Sequence, residues 1–271
     1  MNESNHSPAI RHQRSSKVAL VVGVALLAPA LLLGAGPAAA QAQLARQLTV
    51  KVRPGMNAQF EEAVRALRDV SRKEGTKNYW LVSQTMSGEP LYIFNSTGSS
   101  FGDFAQPGPQ VAKVLGEAEA KRIGELAAAS IESTSSAFYR PQPELSHVPA
   151  PGTMTAPPVA IGVFYISINP GMQAQYLEGT RKSREASMAV APKSYFQTSL
   201  PAVGATGPRT VVFYYSWAEL DSPGPGVQQR VTRHFGAQEG ARINESMGKA
   251  IGGFDMVLAR TRPDLNYQPA Q

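Results

Sequence analysis

The chain has 271 residues, a formal net charge of +6 and only 17% charged side chains. Its Lys and Arg residues are scattered rather than gathered into a phosphate-binding stripe, which excludes a nucleic-acid partner as the source of the basic balance. The lack of cysteine excludes disulfides, lipid attachment through a thiol and Cys-based metal clusters, so the fold must rest on its core.

Arg11, Arg14 and Lys17 precede an uncharged apolar run from Val18 to Leu33, and Ala38, Ala40 and Ala42 then offer A-x-A cleavage sites. This is the layout of a secretory signal peptide over 1–42. The run is short for a membrane span of roughly 20 residues. It predicts a periplasmic or secreted protein with no stable membrane insertion after leader cleavage, an uncleaved anchor being the alternative. Without the leader, 23 basic side chains face 19 acidic ones.

The first unit, 43–145, opens on a period-two alternation. Leu48, Val50 and Val52 share one face and Thr49, Lys51 and Arg53 the other, which predicts a strand. Pro54-Gly55 stops it, Asn57 is a candidate cap, and Phe60, Val64, Leu67 and Val70 recur at helical spacing until Gly75. Two strands over 77–86 and 90–97 turn at Ser87-Gly88-Glu89. A helix over 111–132 and a strand over 134–140 complete a β-α-β-β-α-β unit. A stiff linker, 146–159, carries Pro149, Pro151, Pro157 and Pro158. The second unit, 160–271, repeats the order: strand 161–169, helix 173–190, strands 193–201 and 209–217, helix 227–250, strand 254–261. Gly252-Gly253 reads as the end of that last helix.

The two units echo each other residue by residue. LTVKVRPGMNAQF at 48–60 returns as FYISINPGMQAQY at 164–176, a shift of 116. Farther on the shift is 120, and Gly116, Glu119, Arg122, Ile123 and Glu125 fall on Gly236, Glu239, Arg242, Ile243 and Glu245. Each unit closes alike, Arg140-x-x-Pro143-Glu144-Leu145 against Arg260-x-x-Pro263-Asp264-Leu265. This is a tandem duplication of one domain.

A strand ending in Pro-Gly before a helix that opens Gln59-Phe60-Glu61 or Gln175-Tyr176-Leu177-Glu178 resembles the dimeric α/β-barrel (ferredoxin-like) superfamily. Its branches include antibiotic-biosynthesis-monooxygenase-like and NIPSNAP-like proteins, and haem-binding chlorite dismutases and dye-decolourising peroxidases. The resemblance implies an α+β fold in which two tandem ferredoxin-like antiparallel sheets pack as an intramolecular α/β barrel. The chain would then be a monomer with an internal pseudo-dimer, or a weak homo-oligomer. It also implies cofactor-independent oxidation of an electron-rich molecule as one activity, and an axial histidine for haem, for which His234 is the one serious candidate.

Duplication separates two kinds of residue. Those retained in both copies, such as Arg122/Arg242 and Arg140/Arg260, serve the shared fold, whereas differences are where a single specialised site can arise. Phe60, Val64 and Leu67 become Tyr176, Thr180 and Ser183, so a greasy helix face turns hydroxyl-rich, as the lining of a cavity, groove or contact would. Lys51, Arg53 and Tyr165 lie on the strand face that a closed barrel turns inward, where the cations either offer charge to an anionic ligand or snorkel outward from a partly solvated face. Tyr195, Tyr215 and Trp217 are candidate aromatic walls, although core packing also explains such residues. These eight positions form the predicted ligand site: Lys51, Arg53, Tyr165, Tyr176, Thr180, Tyr195, Tyr215 and Trp217. No HExxH, carboxylate array, phosphate loop or nucleophile elbow is present, so no metal or cofactor is expected. The leading reading is a small apolar or aromatic molecule bound between the sheets, and its competitor is a non-catalytic envelope interaction or scaffold protein. Whether the chain is an enzyme stays open.

Overall fold

In a computed structural model, residues 44–76, 79–150, 153 and 156–269 are described; the predicted leader, 1–42, lies outside them. The first half runs β1 Leu44–Val52, α1 Asn57–Glu74, β2 Leu81–Thr85, β3 Leu91–Gly98, α2 Val111–Leu115, α3 Glu117–Ser130 and β4 Ile131–Pro141. The second runs β5 Ala160–Ile168, α4 Gln173–Val190, β6 Phe196–Val203, β7 Arg209–Tyr214, a short α5 Trp217–Asp221, α6 Val227–Phe235, α7 Ala237–Ala250 and β8 Ile251–Thr261. Each half is an antiparallel sheet with its helices on one face. The sheets join edge to edge into a closed barrel, β1-β3-β2-β8-β5-β7-β6-β4. Among the described residues no helix is long and apolar enough to cross a membrane.

The Pro-Gly signature works as a turn. Met56 N donates to Arg53 O at 3.0 Å, and Met172 N to Asn169 O at 3.0 Å. Gly55 and Gly171 sit at φ 78° and 75°, the left-handed position that follows Pro in such a turn. Asn57 is the first residue of α1 rather than its cap, and Met56 takes the cap position without a side-chain bond.

Each long helix of the sequence reading is two helices. The breaks fall at Gly116 and Gly236, with φ 87° and 83°. The backbone there is open only to glycine, which explains why both copies keep it. Gly252 and Gly253 belong to β8 rather than to a helix end.

The two faces of β1 diverge as the alternation requires. Val50 and Val52 pack with Phe60, Val64, Trp80, Val82, Tyr92 and Phe94 in a buried core between the first sheet and α1. That core is completed by Leu265 and Tyr267, which follow β8 at the other end of the chain. Trp80 and Tyr267 exchange backbone hydrogen bonds at 3.0 and 3.1 Å. The exit of the first half does the reverse. Leu145 is buried, and His147 exchanges backbone bonds with Phe196 in the second half at 2.9 and 2.7 Å. Each repeat therefore finishes its partner's fold.

Candidate functional site

The strand registers match the halves position by position. Leu48 pairs with Phe94 as Phe164 pairs with Thr210, and Val82 pairs with Phe94 as Thr198 pairs with Thr210. The first-half core residues Phe60, Val64, Val82 and Phe94 thus correspond to Tyr176, Thr180, Thr198 and Thr210. Three of these four exchanges put a small hydroxyl side chain where an apolar one filled space. The interior stays hollow as a result: a cavity of ≈ 470 Å³ lies between the second sheet and its helices, walled by these four residues among others. The volume suits a small organic molecule.

Four of the hydroxyls on the cavity wall are spoken for. Thr180 Oγ1 donates to Tyr176 O at 2.8 Å, Ser183 Oγ to Gly179 O at 2.8 Å, and Thr198 and Thr210 share a hydrogen bond of 3.1 Å. Tyr176 is not among them. Its ring is fully buried and its hydroxyl sits near Thr180 and Thr210, yet it closes no hydrogen bond. Burial pushes this phenol above its ordinary range, so it stays protonated and free to donate.

The remaining walls combine apolar surface with two cationic side chains, Lys193 and Arg230. Phe164, Ile166, Val212 and Met247 contribute the former. Arg230 donates through Nε to Pro225 O at 2.6 Å and through Nη1 to Ser187 Oγ at 3.4 Å. No carboxylate pairs with it among the described residues, and burial pushes its guanidinium down. Glu219 also lines the cavity, but its carboxylate accepts from Tyr215 N at 2.8 Å. Such a wall favours an apolar body with an acidic or phenolic end.

Of the eight residues predicted from sequence, Tyr176, Thr180 and Tyr195 line this cavity. Tyr215 adjoins it, its ring edge-on to Tyr195 at 6.0 Å, while Trp217 is 48% exposed at the start of α5. Tyr165 faces the barrel interior, where its hydroxyl accepts from Gln47 Nε2 at 2.7 Å. Lys51 is held by Glu89 at 2.7 Å and Glu132 at 3.0 Å, so its charge is already matched. Arg53 is exposed and donates to Ala129 O at the end of α3, a favourable place for a cation. The cavity also lies beneath helices rather than between the sheets, because the exchanged residues sit on the helix-facing side of the strands. Thr198, Thr210 and Arg230 were missed. The shift of 116 pairs the first two with Val82 and Phe94, but only the sheet register shows that they face the helices.

His234 lies near the end of α6, outside this cavity, with Nε2 3.3 Å from Glu185 Oε1. No histidine lines the cavity, so its residues do not fit a histidine-ligated haem. No group of three His, Cys, Asp or Glu side chains suited to a metal ion occurs among the described residues.

Tyr176→Phe copies the first half's Phe60 and removes a buried hydroxyl that lacks a partner. It is expected to raise stability by about 1 kcal/mol, a rise of roughly 2–4 °C in Tm. Thermal unfolding of the ligand-free protein checks this; an unchanged or lower Tm means that the hydroxyl is satisfied after all.

No protein-family model matches the chain, and none of the curated proteins matches it in sequence. Solved structures do. A provisionally assigned monooxygenase from Lactobacillus acidophilus NCFM superposes with a TM-score of 0.51 at 9% identity, over 84% of this chain and 97% of that one. A second provisionally assigned monooxygenase, from Fusobacterium nucleatum subsp. nucleatum, gives 0.51 at 9% over 84% and 99%. At such identity the likeness is one of fold. The closed eight-strand barrel, its two β-α-β-β-α-β halves and these structural neighbours together give the chain the fold of the dimeric α/β-barrel (ferredoxin-like) superfamily, with both units supplied by one polypeptide.

Proposed function

We propose that the second half of this protein binds a small, largely apolar or aromatic molecule bearing an acidic or phenolic end, and that it does so after export and leader removal. The observation that carries the reading is the exchange of Val64, Val82 and Phe94 for Thr180, Thr198 and Thr210, which opens one half of a duplicated fold and leaves Tyr176 with an unused donor. The apolar walls take up the body of the ligand, the Tyr176 hydroxyl donates to an oxygen on it, and Arg230 faces its acidic end.

Oxidation is an extension of this reading, prompted by the provisional assignments of the structural neighbours. An activated methylene between aromatic rings would react with O2 to give a carbonyl and water. One oxygen atom enters the substrate, the other leaves with both methylene hydrogens, and the carbon supplies all four electrons. The protein's part would be to orient the substrate and stabilise developing charge on oxygen.

The double variant Thr180→Val/Thr210→Phe restores the first half's packing and tests the reading. Native mass spectrometry and an absorption spectrum of protein from its own compartment should show a bound or titratable aromatic acid. The filled variant should lose that binding at least tenfold while unfolding at the same or a higher temperature. Binding that survives the filling refutes the cavity as the site. Oxygen uptake with the bound compound decides the extension. One observation favours a contact role instead: Phe254 and Met256 are 61% and 57% exposed, where the first half has Thr134 and Ser136. A ligand-free oligomer in the same spectrum supports that reading.

A further inference from the structure

The interior of the barrel holds a positive charge that nothing described so far uses. Arg209 opens β7 and points between the sheets, only 3% exposed. Its Nη1 donates to Gln47 Oε1 at 2.7 Å and to Asn95 Oδ1 at 3.2 Å, and its guanidinium lies over the Tyr139 ring at 4.3 Å. All three contacts are neutral. No carboxylate pairs with Arg209 among the described residues, and its Nε is buried with no acceptor. Directly across the strand pair stands Tyr165, whose hydroxyl accepts from Gln47 but meets no acceptor for its own proton among the described residues.

Two unused donors, one of them cationic, therefore stand on facing positions of one strand pair inside the barrel. An isolated charge in such surroundings is costly, and the cost falls when a counter-charge binds. Neither donor wants a cation or a second donor; both are satisfied by one small acceptor carrying negative charge. The duplication makes the site single. Arg209 corresponds to Ile93 and Tyr165 to Thr49, so the first half carries neither group, while it contributes Gln47, Asn95 and Tyr139.

We propose that the barrel interior binds one small monovalent anion, chloride or a carboxylate of formate size, between Arg209 Nε and the Tyr165 hydroxyl. Because Arg209 comes from the second half and three of its neighbours from the first, the anion fastens the two halves together.

Thermal unfolding of the mature protein tests this, with chloride replacing gluconate at constant ionic strength and formate in a parallel series. The expected result is a saturable rise in Tm of about 3 °C, as for any ligand of the native state alone. The rise should vanish in Arg209→Gln. Tyr165→Phe, which keeps the ring, should shift the anion midpoint about tenfold. Arg230→Gln, which removes a cation of the ligand cavity, should leave the rise intact. A wild-type Tm that ignores both anions overturns the proposal. A rise that persists in Arg209→Gln, or disappears in Arg230→Gln, also overturns it. If Arg209→Gln does not fold, the Tyr165→Phe midpoint decides. Bromide-soaked crystals should show an anomalous peak within hydrogen-bond distance of Arg209 Nε, and no peak there counts against the site.

Discussion

Replacing Leu265 and Tyr267 by alanine is expected to unfold the first half of the barrel, although neither residue belongs to that half in sequence. Both are buried in the core between the first sheet and α1. Leu265 O accepts from Trp80 Nε1 at 3.0 Å, and the Tyr267 hydroxyl donates to Ser71 O at 3.0 Å and Thr76 O at 2.7 Å. The Trp80 and Tyr267 rings lie 5.1 Å apart. Leu265→Ala alone should cost about 3 kcal/mol and Tyr267→Ala about 4 kcal/mol, from lost burial and the cavity left behind. The two touch the same core, so the double change should fall short of the sum. Urea unfolding followed by Trp80 fluorescence, in a Trp217→Phe background, reads the effect at its site. A loss under 1 kcal/mol for either single change means that the tail is not docked as described.

The second large effect belongs to Arg262. Its guanidinium pairs with Glu61 on α1, donates to Gln84 Oε1 at 2.8 Å, and reaches Asp264 at 2.8 and 2.9 Å. Tyr92 OH donates to the same Glu61 carboxylate at 2.7 Å. The Glu61–Arg262 pair is largely shielded from solvent, so Arg262→Ala leaves Glu61 with only Arg65, at 2.8 Å, and the Tyr92 hydroxyl, and should cost about 2 kcal/mol near neutral pH. Glu61→Gln/Arg262→Met, which removes both charges, should recover much of that.

The pair also sets an acid limit. Hydrogen bonds from Arg262, helped by Tyr92 and opposed by burial, hold the Glu61 carboxyl at about 2 against an ordinary 4.5. The native state therefore binds fewer protons than the unfolded state over that interval. The contribution is fully present above about pH 4.5 and is lost as pH falls toward 2. The gap between wild type and Arg262→Ala should close over the same interval in acid-unfolding curves. A gap that stays constant down to pH 2 would show that the loss is one of packing rather than charge.

Much of this architecture was legible because the chain repeats itself. The Pro-Gly turns and the retained Gly116/Gly236 pair each appear twice, and the recurrence marks them as features of the fold. Arg122 illustrates a partial reading. Its bond to Glu119 at 2.7 Å follows from helical spacing, but its bond to Glu62 at 2.6 Å comes from packing between α1 and α3. The cavity was half visible. Tyr176 and Thr180 differ from their first-half counterparts on a helix whose periodicity reveals its buried face. Thr198 and Thr210 lie on short strands whose register only the folded sheet fixes, and register decides which side a residue faces. Arg209 escaped for the same reason. A cation at a strand start reads as a solvated end until the pairing with Tyr165 turns it inward. The tails were misread in destination: the Arg-x-x-Pro-acidic-Leu motif looked like each unit's own close, and no local pattern says which sheet will receive it.

That exchange of tails has a consequence for the order of assembly. The first unit has every strand and helix once β4 has been made, yet its groove for Leu265 and Tyr267 stays open until the residues after β8 follow. Domains made early ordinarily fold early. Here the first unit cannot close its core until the second has been made as far as Tyr267, which ties the folding of the two halves together.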